Sequence, residues 1–167
     1  MSVVRCTLQV MVIVGIDPGY ERLGLAVIEK TARGERLLHS ECFRTKAEGS
    51  FPDRLREVGA RLEVLMKEWK PNRVALETLF FSNNQKTAMT VSAVRGVILY
   101  EAARAKLPTF EYAPQEIKVA VGGHGRSDKK DVERMVRRLI RIEKKIEHDD
   151  EYDAIAAALT CAAREKL

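Results

Sequence analysis

The stretch Val12-Ile13-Val14-Gly15-Ile16-Asp17-Pro18-Gly19-Tyr20 decides how this chain is read. Its β-branched residues, Val12, Ile13, Val14 and Ile16, form an apolar run that ends in one carboxylate, Asp17. Such a run, bounded by turn residues, reads as a buried central strand. Pro18 and Gly19 turn the chain at once. Asp17 therefore stands where a buried strand meets solvent. A carboxylate there is costly unless it is hydrogen-bonded, paired or bound to a cation. Taken alone, Asp17 is better explained as the start of an Asp-Pro-Gly turn, its side chain bonding the backbone. That explanation weakens only if other carboxylates arrive at matching positions.

Working outward, Leu23 to Glu29 reads as a second strand, antiparallel to the first because the connection is short. Gly24 lets the backbone approach a neighbour closely. A turn at Gly34 leads to a third strand, about Leu37 to Arg44. Ser50 offers an N-cap, and Leu55, Val58, Leu62, Leu65, Met66 and Trp69 recur at helical spacing until Pro71. Arg73 to Leu76 is a fourth strand, and it too runs into a carboxylate, Glu77. A crossover helix makes this strand parallel to the first. Asp17 and Glu77 then lie at the same end of neighbouring strands, which is the first functional signal.

Beyond a loop at Thr78 to Asn84, a helix is expected over Gln85 to Lys106, a fifth strand at Thr109 to Tyr112 and a short helix at Pro114 to Val121. Ser127 is placed to cap a basic helix running from Asp128 to about Lys145. Asp149 or Asp150 caps a final alanine-rich helix to about Arg164. The expected architecture is α/β: a five-stranded mixed sheet, an antiparallel meander plus parallel strands, flanked by helices.

The chain has 167 residues, 46% hydrophobic and 32% charged, which fits one domain with a real core. The net charge of +5 favours a polyanionic partner, nucleic acid before membrane surface. No apolar run is long enough to cross a bilayer. Cys6, Cys42 and Cys161 are too scattered for a zinc site or a disulfide framework, so a reduced cytoplasmic protein is expected. Residues 1–10 precede Met11 and lack the features of a signal peptide. They are expected to be an extension outside a single domain of residues 11–167.

The last helix adds Asp150 and Asp153, three apart and so on one face. Capping explains one of them. It does not explain Asp153, which begins the apolar face Ala154, Ile155, Ala156, Ala157 and Leu159. Asp149 is a register rival for Asp150. Four carboxylates in a small volume repel one another unless cations lie between them. Oxygen ligands without cysteine suit Mg²⁺ or Mn²⁺. Two such ions can activate water and stabilise the leaving oxygen of a phosphodiester. With a basic surface for the backbone, the residues read as a metal-dependent nuclease.

The ordered motifs resemble the RuvC family of Holliday junction resolvases, within the RNase H-like superfamily. They are G-I-D-P-G at Gly15 to Gly19, F-R-T-K at Phe43 to Lys46, A-L-E-T-L-F-F-S-N-N at Ala75 to Asn84, R-G-V at Arg95 to Val97, F-E-Y-A-P at Phe110 to Pro114, I-K-V-A-V-G-G at Ile117 to Gly123 and D-x-x-D-A-I-A at Asp150 to Ala156. The resemblance implies that Asp17, Glu77, Asp150 and Asp153 are metal-binding catalytic carboxylates holding two Mg²⁺ or Mn²⁺ ions. It implies that Phe80 stacks on a junction base and that Lys118 and Lys129 lie near the scissile phosphate. The loop residue Arg126 and the helix residue Lys130 join them as candidate DNA contacts. Paired nicks in a four-way DNA junction, ligatable 5′-phosphates, a homodimer built on the helix after Glu77, and work with the RuvA–RuvB branch-migration complex are implied likewise. Three other readings compete: an RNase H-like nuclease acting on RNA precursors, an actin-like nucleotide-binding domain, and a non-catalytic junction-binding module. His124 is read as a polar loop residue, and His148 is left open between proton transfer and a polar surface role.

Overall fold

In the computed structural model, described for residues 10–78, 85–123, 125 and 128–166, five strands form one mixed sheet. They are β1 (Met11–Asp17), β2 (Arg22–Thr31), β3 (Gly34–Arg44), β4 (Arg73–Glu77) and β5 (Thr109–Tyr112). The order across the sheet is β3-β2-β1-β4-β5, so the Val12–Asp17 stretch is the central strand. β1 pairs antiparallel with β2 and parallel with β4, as expected. The helices are α1 (Phe51–Trp69), α2 (Gln85–Arg104), α3 (Pro114–Gly122), α4 (Lys129–Leu139) and α5 (Asp149–Arg164).

Side chains alternate across the strands and build two cores. Val14, Ile16, Leu25, Val27, Val74 and Leu76 face one way, against Val58, Leu62 and Leu65 of α1 and Val94, Ile98 and Ala102 of α2. Met11, Ile13, Ala26, Ile28 and Ala75 face the other way, against α3, α4 and the alanine-rich face of α5. The second face also carries Gly15 and Gly24, and there α5 comes down onto bare backbone. A Cβ at Gly15 would fall 2.1 Å from the Ala154 carbonyl oxygen. At Gly24 it would fall 2.0 Å from that of Asp150. Gly24 thus serves a close approach, and the close neighbour is the first turn of α5.

Ser50 caps α1, accepting from the Asp53 amide at 3.3 Å. Three expected boundaries are corrected. The basic helix α4 is capped by Asp128, which accepts from the Asp131 amide at 2.8 Å, and Ser127 lies outside the described residues. α4 also stops at Leu139, six residues short of Lys145. Ile140 is extended there, and Ile140 and Ile146 are both buried in the core under the segment that follows. Burying those two side chains outweighs continuing the charged helical pattern. For α5 the N-cap is His148, so Asp149 and Asp150 lie inside the first turn instead of capping it.

The extension expected at residues 1–10 lies outside the described residues except for Val10, which is exposed. None of the described helices is long and apolar enough to cross a membrane.

Candidate active site at the carboxyl end of the central strands

β1 and β4 run in parallel with Ile16 opposite Leu76, so the next residues, Asp17 and Glu77, end neighbouring strands side by side. Both stand on the face that α5 covers. Because the two glycines let α5 sit low, its first turns bring Asp150 and Asp153 over the same end of the sheet. Burial pushes the Asp17 carboxyl up to about 8, and the charges of Asp153, Glu77 and Asp150 push in the same direction. Burial also raises Glu77, with Asp153 adding to it. Asp153 is raised by burial too, with Asp149 and Asp150 contributing. Four carboxylates from three elements therefore share one electrostatic site.

Lys129, at the start of α4, places one cation among them. Its Nζ lies 2.7 Å from Asp149 Oδ2 and 3.7 Å from Asp153 Oδ2. It opposes the upward shifts of Asp17, Glu77 and Asp153. Its hydrogen bond to Asp149 holds that carboxyl below its ordinary value. Asp149 is half exposed and paired with the lysine, and Asp150 is paired with Arg22; the charge of Asp150 reaches Asp17, and the charges of both reach Asp153. Glu77, Lys118, Lys129 and Asp153 line one cavity of about 210 Å³ together with Pro114, Ile117 and Val132.

Among the described residues, no three His, Cys, Asp or Glu side chains are drawn closely enough together to hold one ion as they stand. The donor set still fits a divalent cation. It is all carboxylate oxygen, it is partly withdrawn from water, and its excess negative charge is met by an ammonium group that a harder cation can displace. Asp17, Glu77, Asp150 and Asp153 are the residues that would hold it.

Of the other expected site residues, Lys118 and Lys129 join the cavity, while Lys130 is exposed and outside its lining. Phe80, Arg126 and His124 lie outside the described residues. His148 faces Arg44, whose Nη2 donates to its Nε2 at 2.9 Å. Sequence reasoning missed Arg22, Cys42 and Arg44. Arg22 Nε lies 3.2 Å from Asp150 Oδ2, and Cys42 Sγ is 3.8 Å from the same oxygen. The available signal was register: Asp17 pairs with Gly24 and Gly24 with Cys42, so a column of α5-facing positions runs across all three strands.

Glu151 anchors the same helix turn from behind. It is buried, accepting from Ser40 Oγ at 2.9 Å and pairing with Lys144 Nζ at 2.5 Å. This tie fixes the rotation of α5 and with it the direction of Asp150 and Asp153.

Comparison with known proteins gives the family and the fold. A family model described as crossover junction endodeoxyribonuclease RuvC matches residues 13–161. The enzyme of that name from Desulfitobacterium hafniense is 42% identical over 151 residues, covering 89% of this chain and 90% of the relative. That from Heliobacterium modesticaldum is 45% identical over 154 residues, covering 91% and 94%. Among solved structures, T. thermophilus RuvC in complex with Holliday junction substrate superposes with a TM-score of 0.85 at 35% identity, covering 92% of this chain and 93% of that one. The yeast mitochondrial Holliday junction resolvase, at 12% identity and a TM-score of 0.64 over 90% and 76% of the two chains, shares the RNase H-like fold. On the matched span and these identities, the chain belongs to the RuvC family of crossover junction endodeoxyribonucleases.

Proposed function

We propose that this protein resolves Holliday junctions by hydrolysing one phosphodiester in each of two opposed strands, in recombination and DNA repair. The observation that carries the reading is the gathering of Asp17, Glu77, Asp150 and Asp153 around one end of the sheet, where burial and then the charges of Asp153, Glu77 and Asp150 raise the Asp17 carboxyl to about 8. That much acid, only partly offset by Lys129 and Arg22, calls for further cations. Mg²⁺ or Mn²⁺, two ions per site, would supply an activated water and charge neutralisation at the departing 3′ oxygen, leaving ligatable 5′-phosphates.

The protein's own groups account for the remaining needs. Asp17 and Glu77 are fixed by the sheet, and Asp150 and Asp153 by a helix locked to β3 through Glu151. Lys118 and Lys129 border the cavity and would neutralise the incoming phosphate. Phe80 is assigned to base stacking, and Arg126 and Lys130 to the DNA backbone, on the family resemblance. We also assign a homodimer, since two opposed strands need two equivalent sites related by a two-fold axis. Met89 and Tyr100 leave exposed apolar surface on α2 that a second copy would cover. Cooperation with RuvA–RuvB and a cytoplasmic location follow from the same reading.

Incubation of the protein with a synthetic four-way junction and Mg²⁺ or Mn²⁺ tests this. Symmetric paired nicks are expected, with Asp17→Asn and Glu77→Gln binding the junction without cutting it. Binding without cutting by the unaltered protein in either metal would leave only a junction-binding module. Preferential cutting of structured RNA would favour the RNA-processing alternative.

A further inference from the structure

Asp150 has a setting unlike those of the other site carboxylates. β2 begins at Arg22 and β3 ends at Arg44, and the two are register partners at the edge next to Asp17. Their column faces α5, in line with Gly24 and Cys42 on one side and the first turn of the helix on the other. Arg44 holds the N-cap residue His148. Arg22 reaches Asp150 itself, and its Nη2 lies 3.9 Å from Asp149.

The contacts to Asp150 are one-sided. Arg22 Nε at 3.2 Å and Cys42 Sγ at 3.8 Å both address Oδ2. Among the described residues no hydrogen bond or ion pair is made to Oδ1. The Asp150 side chain is 14% exposed, so few water molecules compete for that second oxygen. A carboxylate pinned by one oxygen presents the other in a fixed direction, which is how partners behind a metal ligand orient it.

We propose that Arg22 is a positioning residue, pinning Asp150 through Oδ2 so that Oδ1 is presented to a divalent cation shared with Asp17 and Asp153. This rests on the metal-site reading above. A guanidinium beside a ligand can also act in the opposite sense, competing with the ion for the carboxylate. The Arg22 side chain is 45% exposed, so water and salt screen its charge and orientation is the larger effect. Losing such a partner costs about 10- to 100-fold in metal affinity.

The test is Mn²⁺ binding to the full chain without DNA, read from the electron paramagnetic resonance signal of free Mn²⁺, with a thermal melt of each metal-free variant. Asp150→Asn is expected to weaken Mn²⁺ binding, and Arg22→Met to weaken it about 10-fold or more without loss of the folded state. Arg22→Lys, which keeps the charge but not the side-on contact, is expected to fall between. If Arg22→Met does not fold, Arg22→Gln is read in its place. Unchanged or tighter Mn²⁺ binding by the Arg22 variant, with Asp150→Asn weakened, overturns the role of Arg22 alone. Unchanged binding by Asp150→Asn overturns the metal-site reading and this inference with it.

Discussion

Gly24 of β2 lies directly beneath the carbonyl of Asp150, so close that a Cβ there would meet that oxygen at 2.0 Å. The nearest obstacle is helix backbone, which cannot rotate away as a side chain can. Gly24→Ala must therefore lift the first turn of α5 from the sheet, carrying Asp150 with it. Misplacing a reacting group by about 1 Å can cost 10²-fold in rate. Cleavage is expected to fall by about 100-fold or more, with a stability loss of about 1–3 kcal/mol from overpacking. Junction cleavage rates and urea unfolding of the variant check both numbers.

The raised Asp17 carboxyl makes metal-free stability depend on pH. Its folded value of about 8 lies above the ordinary 3.8, so the folded protein holds a proton that the unfolded chain has lost between those limits. Stability then declines as pH rises from about 4 to about 8, because the native state binds the extra proton. Asp17→Asn removes the Asp17 share of this dependence, while Glu77 and Asp153, which burial also raises, keep theirs. The variant is expected to be more stable than the unaltered protein at pH 8 by several kcal/mol, with the gap closing towards pH 4. Thermal melts in chelator across pH 4–8 measure it. Adding Mg²⁺ at pH 8 should raise the melting temperature of the unaltered protein more than that of the variant.

Glu151 supports the site without touching substrate. Replacing it by Ala leaves Lys144 and Ser40 without their shared partner at a buried position. A loss of about 1–3 kcal/mol is expected, since the buried Ser40 hydroxyl loses its acceptor while the half-exposed Lys144 keeps water and the Ser40 carbonyl. Chemical denaturation gives the value, and Glu151→Gln, which keeps an acceptor for Ser40, should lose less.

Deletion of residues 1–10 tests the assignment of that segment as an extension. β1 starts at Met11, which is already buried. Cleavage by the shortened chain is expected to stay within about twofold of the full chain, and its melting temperature within a few degrees. A large drop in either would place these residues in the fold.

The central frame was legible because burial and charge leave unambiguous marks on a short strand. The residues just before Asp17 and Glu77, Val12 to Ile16 and Val74 to Leu76, are apolar, so the carboxylates that end them stood out. Asp153 stood out for the reverse reason, as an acid at the head of an apolar helix face. α4 was overextended because Arg141, Lys144 and Lys145 continue the helical charge pattern past Leu139. The core decides that boundary, through Ile140 and Ile146, and Lys144 instead bonds the Ser40 carbonyl across the fold. The cap of α5 was misplaced because Asp149 and Asp150 are both better cap formers than His148. Their carboxylates are drawn instead to Lys129 and Arg22. Arg22, Cys42 and Arg44 were not legible, since their approach to α5 depends on a cross-strand register that no single segment encodes.

The account turns on Asp17, Glu77, Asp150 and Asp153 forming one cation site. Anomalous diffraction from crystals of the protein soaked in Mn²⁺ tests this most directly. Manganese peaks are expected between the strand-end carboxylates and the first turns of α5, with Lys129 Nζ displaced from Asp153. Manganese bound elsewhere on the protein, with these four carboxylates bare at saturating metal, would contradict it.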